Sequence, residues 1–186
     1  RTGYECVSSL SRLLKAENLL GFSIPALLEV ILKALILKPS TLQKTWNNKI
    51  DSFIKTLANS DIVYSAGGGN FYTNSKFGVD FVINCLTLII AGKLGKPIIM
   101  LPQSFGPVQT RWQQKLLKMT INNVDFVFAR ESLSYDFLIS IGVPKNKIEI
   151  LPDLALTIDN DNVKTINTES LTIGLSVIDR RAQYKK

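Results

Sequence analysis

Four short clusters hold the residues of this chain whose types and spacing suit chemistry: Gly67-Gly68-Gly69-Asn70, Gln103-Ser104-Phe105-Gly106-Pro107, Arg130-Glu131-Ser132 and Pro152-Asp153. A glycine run lets a ligand approach the backbone and can present exposed N–H groups as an anion nest, with Asn70 adding a side-chain contact; it also makes a plain tight turn. Arg130 is one of six arginines against 16 lysines. Its planar fork grips a carboxylate or phosphate through two parallel hydrogen bonds, the alternative being a structural ion pair. Glu131 reads as a site acid or as a first-turn helix acid favoured by the macrodipole, and Ser132 beside it as a binding residue. Gln103 and Gly106 read either as ligand contacts or as parts of a shaped loop before a helix. Asp153 either caps the next segment or orients a sugar hydroxyl.

Several chemistries are excluded by what is missing. With no histidine, the chain cannot form a Ser/His/Asp or Cys/His triad, an HExxH zinc site or a His-ligated metal centre of its own. No clustered Cys or Asp ligands stand in, so no protein-bound metal and no resident cofactor is expected. The glycine run is not followed by GK[ST] and does not fit GxGxxG, which gives little support to nucleotide triphosphates or NAD.

The elements that must hold these clusters follow from hydrophobic periodicity. Residues 41–58 place Leu42, Trp46, Ile50, Phe53, Ile54 and Leu57 on one helical face, and 61–66 read as a short buried strand stopped by the glycines. Residues 77–94 are apolar almost all round, as in a helix buried between layers, and Gly95 and Pro97 end them. A strand at 97–101 follows, then a helix at 109–123 with Trp112, Leu116 and Met119 inward, and a strand at 124–129. A helix turning Leu133, Phe137, Leu138 and Ile141 inward and a strand at 148–151 complete the pattern. Four strands joined by crossover helices predict an α/β domain with a Rossmann-like, doubly wound parallel sheet. Each cluster then falls just after the carboxyl end of a strand, the edge where open α/β sheets bind ligands.

Composition sets the frame. The 186 residues carry a formal charge of +7 and are 46% hydrophobic, which excludes global disorder and suits anionic small molecules, anionic membrane surfaces or simply a solvated lysine surface. Cys6 and Cys85 lie far apart without a CxxC partner, and Cys85 sits in an apolar run, so a reducing, cytoplasmic setting is expected, with the inner face of the membrane as a further station. No signal peptide is visible. Residues 19–37 contain Glu29 and Lys33 and read as an amphipathic helix pair around Pro25, not a membrane span. Together with the basic tail 180–186 they offer peripheral membrane contact, whereas nucleic acid is not expected because the basic residues are not interleaved with aromatics. Residues 1–158 read as one Rossmann-like domain lacking its first strand, 159–170 as a polar linker, and 171–186 as the start of a second such domain. The chain is therefore expected to be a piece of a longer protein.

Taken in order, the segments 61–70, 97–107, 125–132 and 142–153 resemble the polysaccharide pyruvyl transferase family, over about residues 49–156. The resemblance implies a two-domain fold like that of GT-B glycosyltransferases, with the active site between the domains. It implies transfer of the enolpyruvyl unit of phosphoenolpyruvate to two hydroxyls of a sugar, giving a pyruvate ketal in a cell-surface polysaccharide or its lipid-linked precursor. The partners would be that small-molecule donor and a glycan acceptor. Arg130 would hold the donor's carboxylate or phosphate, the amides of Gly67, Gly68 and Gly69 would assist, and Asn70, Gln103, Gly106 and Ser132 would join the binding set. Glu131 and Asp153, the only motif carboxylates, would position more than catalyse, and any histidine acid or base of the family would lie outside this chain. A nucleotide-sugar glycosyltransferase and a non-catalytic membrane-surface module are the rival readings.

Overall fold

The computed structural model describes residues 48–157. The linker at 159–170, the strand at 171–178, the amphipathic pair within 19–38 and Cys6 lie outside the described residues. The elements run α1 (Asn48–Asn59), β1 (Val63–Ser65), β2 (Gly68–Thr73), α2 (Val79–Lys93), β3 (Ile98–Val108), α3 (Arg111–Asn122), β4 (Phe126–Ala129), α4 (Ser132–Ser140) and β5 (Ile148–Ile150), with 3-10 turns at Lys145–Lys147 and Leu154–Thr157.

All strand pairings are parallel, in the order β1-β3-β4-β5. The parallel α/β sheet expected from the crossover spacing is present, with one strand more than expected. The glycine run does not end the strand ladder: β1 pairs with β3 over Ile98–Met100, the chain breaks at Ala66 and Gly67, and β2 resumes pairing with β3 from Gln103 to Val108. Two short strands thus lie end to end along one long one. Gly67 explains how, because a Cβ there would sit 2.5 Å from the Pro102 carbonyl oxygen, and only a bare Cα lets the backbones come so close. β3 likewise runs on through Pro102–Pro107, which the sequence reads as a loop, and Gly106–Pro107 is a cis peptide.

Successive strands are added in one direction, so right-handed crossovers put α2, α3 and α4 on a single face. The row Met100–Val127–Ile148 is buried on the covered face, whereas Tyr64 and Phe126, in register with Ile99 on the other face, are each more than half exposed. The deepest element is α2, which buries Phe81, Ile83, Cys85, Leu86, Leu88, Ile89, Ile90 and Ala91. At about 1.5–3 kcal/mol for each large side chain removed from water, this helix is the main apolar anchor of the sheet. One buried cluster joins it to Ile50, Phe53, Ile54 and Leu57 of α1, the face the periodicity assigned.

Two helical faces are corrected. In α3 the buried side chains are Gln113, Leu117, Thr120 and Ile121, while Trp112 and Met119 are exposed. The phase is set by the N-terminus: Thr110 and Gln113 form a reciprocal capping box, and the Gln113 amide also donates to the carbonyls of Ser75 and Lys76. In α4, Leu138 is buried but Leu133 is exposed.

Candidate functional site

A single register row, Gly68–Gln103–Ala129–Ile150, crosses the start of β2, the middle of β3 and the carboxyl ends of β4 and β5. Main-chain bonds continue the row outward: Arg130 N–H donates to the Gln103 carbonyl and Leu151 N–H to the Ala129 carbonyl, both at 3.0 Å. Ser104 and Arg130 therefore emerge side by side, with Asp153 on the segment that leaves β5 beside them. This is how Ser104, Arg130 and Asp153 meet although 26 and 23 positions of sequence separate them from one another.

Arg130 is the hub. Its Nη1 donates to Asp153 Oδ2 at 2.8 Å, its Nη2 to Ser104 Oγ at 2.7 Å, and its Nε to Glu131 Oε2 at 3.4 Å. Ser104 Oγ in turn donates to Glu131 Oε2 at 3.1 Å. These bonds use three of the five guanidinium donors and leave one N–H on each terminal nitrogen without a partner among the described residues. The side chain is 33% exposed, so the guanidinium group is not sealed within the core. The hydrogen bond to Asp153 raises the Arg130 pKa, which keeps the guanidinium charged. Asp153 is lowered, first by the Ala155 N–H that donates to its Oδ1 and then by Arg130.

For Arg130 and Asp153 the structural alternatives, an ion pair and a cap, are both present. Arg130 makes its ion pairs and still has two donors to offer; Asp153 caps the 3-10 turn at Leu154–Thr157 through Ala155 and also clasps Arg130. Glu131 stands at the start of α4 but makes no capping bond with its side chain, which turns to the arginine instead.

The other candidates divide. Gly67 and Gly68 lie against Pro102 and Gln103, with Gly68 at a φ of 127°, and Gly69 follows in β2. Gln103 is 0% exposed and neither atom of its side-chain amide has a hydrogen-bond partner among the described residues, so it underlies the site without facing solvent. Gly106 serves close packing, since a Cβ there would lie 2.9 Å from the Phe137 ring of α4. Asn70 is exposed on β2, where its carbonyl accepts from Asn84 Nδ2, and Ser132 is exposed at the first position of α4.

One member of the network escaped the sequence reading. Ser134 is 1% exposed, accepts the Phe105 N–H at 2.7 Å and donates to Glu131 Oε1. A serine inside a short helix gives no signal of this kind; only its offset of three from Glu131, one helical turn, hints at the contact.

Among the described residues there is no group of three or more Cys, Asp or Glu side chains placed to hold a metal ion, and no helix is long and apolar enough to cross a membrane. Comparison with known proteins gives a match to a family model described as polysaccharide pyruvyl transferase over residues 13–186. No solved structure matches the chain.

Proposed function

Because the chain belongs to the polysaccharide pyruvyl transferase family, a family of transferases, we propose that it serves transfer of a pyruvyl group from phosphoenolpyruvate to two hydroxyls of a glycan. The observation that carries the reading is the Arg130 guanidinium, which is fixed by three protein partners, is partly exposed and keeps two donors without a partner among the described residues. A preorganised planar fork is the group best suited to an enol phosphate or its carboxylate.

The balance of the reaction fixes what else is needed. The methylene carbon of the donor gains one hydroxyl proton and becomes a methyl group; two sugar oxygens bond to the neighbouring carbon; the carbon–oxygen bond to phosphate breaks, and phosphate leaves with the second proton. Arg130 holds an anionic part of the donor, and the amides at Gly67–Gly69, one strand across from Gln103, assist. Glu131 and Asp153 orient the arginine. One cation against two carboxylates leaves this cluster at −1, so further cations must complete the donor's charge. The reaction also needs an acid that protonates carbon and a base that takes the hydroxyl proton.

The test is phosphoenolpyruvate binding to the full chain. Arg130→Lys replaces the fork with a point charge and should weaken binding by about 10- to 100-fold, the scale of a lost charged hydrogen bond. Unchanged affinity would remove Arg130 from the site. Thermal stabilisation by uridine nucleotides and not by phosphoenolpyruvate would instead favour a nucleotide-sugar glycosyltransferase.

A further inference from the structure

The geometry points to Ser134 as the positioning residue of this site: its hydroxyl holds the Glu131 carboxylate in the orientation that keeps the Arg130 guanidinium aimed outward. The inference rests on the reading of Arg130 as the grip on the donor.

Glu131 has two ways to satisfy its carboxylate. It directly precedes α4, where the amides of a helix's first turn are natural partners for an acid. It takes none of them with its side chain; Oε2 receives Ser104 and the Arg130 Nε, while Oε1 receives Ser134. Ser134 is the only described donor to Oε1, and it is itself immobile, because it is buried and its oxygen is tied to the Phe105 amide of β3. A continuous chain therefore runs from the β3 backbone through Ser134 and Glu131 to the guanidinium. Without the hydroxyl, Oε1 loses its donor, the carboxylate is free to turn back onto the open helix amides, and Arg130 loses the contact at Nε.

The test titrates phosphoenolpyruvate into the full chain and its variants, and follows the Arg130 Nε–H resonance of each without ligand. Ser134→Ala and the near-isosteric Ser134→Cys should each raise the dissociation constant about tenfold, as for one charged hydrogen bond lost indirectly, and shift or broaden the Nε–H signal. Ser134→Cys keeps the volume of the site should the alanine variant unfold. In a Glu131→Ala background the Ser134→Ala change should add nothing to the loss, because the serine acts through the glutamate. Native affinity with an unmoved Nε–H signal, or fully additive losses, would overturn the proposal. If the unaltered chain does not bind phosphoenolpyruvate, the donor assignment fails. The Nε–H signal of Ser134→Ala then decides on its own, a shift upholding the positioning role and an unmoved signal refuting it.

Discussion

A carboxylate held below its ordinary pKa ties part of the site to pH. Asp153 gains stability from ionisation in the folded state, so its contribution is fully present above about pH 4 and is lost as pH falls through the lowered native value. Asp153→Asn should therefore remove the Asp153 part of the acid sensitivity of the Arg130 clasp. The Arg130 Nη1–H signal of the native chain is expected to move as pH falls below about 4, and that of the variant should move less. Gln103 gives the opposite kind of test. A fully buried amide without a partner costs about 1–3 kcal/mol, so the similarly sized Gln103→Met should raise the denaturant midpoint of the unliganded chain. A lowered midpoint would mean that the amide is hydrogen-bonded in solution. At this scale the sequence showed Arg130, Glu131 and Asp153 by their chemistry, since a lone arginine after an apolar strand stands out. It could not show Ser104 and Ser134 as their partners, because hydroxyl contacts depend on register between strands that are distant in sequence.

At the level of elements, the glycine run has a packing duty that separates its members. Gly67→Ala pushes a Cβ into the Pro102 carbonyl and should cost about 1–3 kcal/mol, whereas at Gly69 the nearest atoms, in the Tyr72 ring, are at an ordinary 3.6 Å and alanine should change stability by less than about 0.5 kcal/mol. Urea unfolding of the two variants checks the contrast; equal costs would show that the glycines are needed for flexibility and not for the approach of β2 to β3. This strand was hidden for a physical reason. Gly-Gly-Asn at its start has poor strand propensity and no alternation, and β2 is held by pairing along an already formed β3. The phase of α3 was hidden similarly: Trp112 and Met119 are the more apolar choices, but the bonds of Gln113 to the 75–76 backbone turn the helix by about one residue. By contrast α2 was plain, because an apolar run with a glycine stop leaves few alternatives.

For the molecule as a whole, the core acts as one body, and Cys85 is its reporter. The thiol lies fully buried in α2, with its pKa pushed up to about 12 by burial. At pH 8 only about one thiol in ten thousand would be ionised, so iodoacetamide should leave Cys85 unmodified in the native chain and label it quickly in denaturant. Labelling at the rate of a free thiol without denaturant would show that α2 opens on its own. The alternation of helical and strand patterns made this architecture legible as α/β. The direction in which the strands are laid down was not legible, because periodicity says nothing about which neighbour a strand selects.

That direction bears on how the protein is made. Beyond β2, each strand docks beside the one that precedes it in synthesis, so once β3 has emerged to pair with β1 and β2 the sheet can grow from the ribosome as a ratchet. Asp153 follows the last of these strands. The Arg130 clasp therefore closes only after every strand of the described sheet has been translated, and a nascent chain would complete that network as the final act of building the sheet.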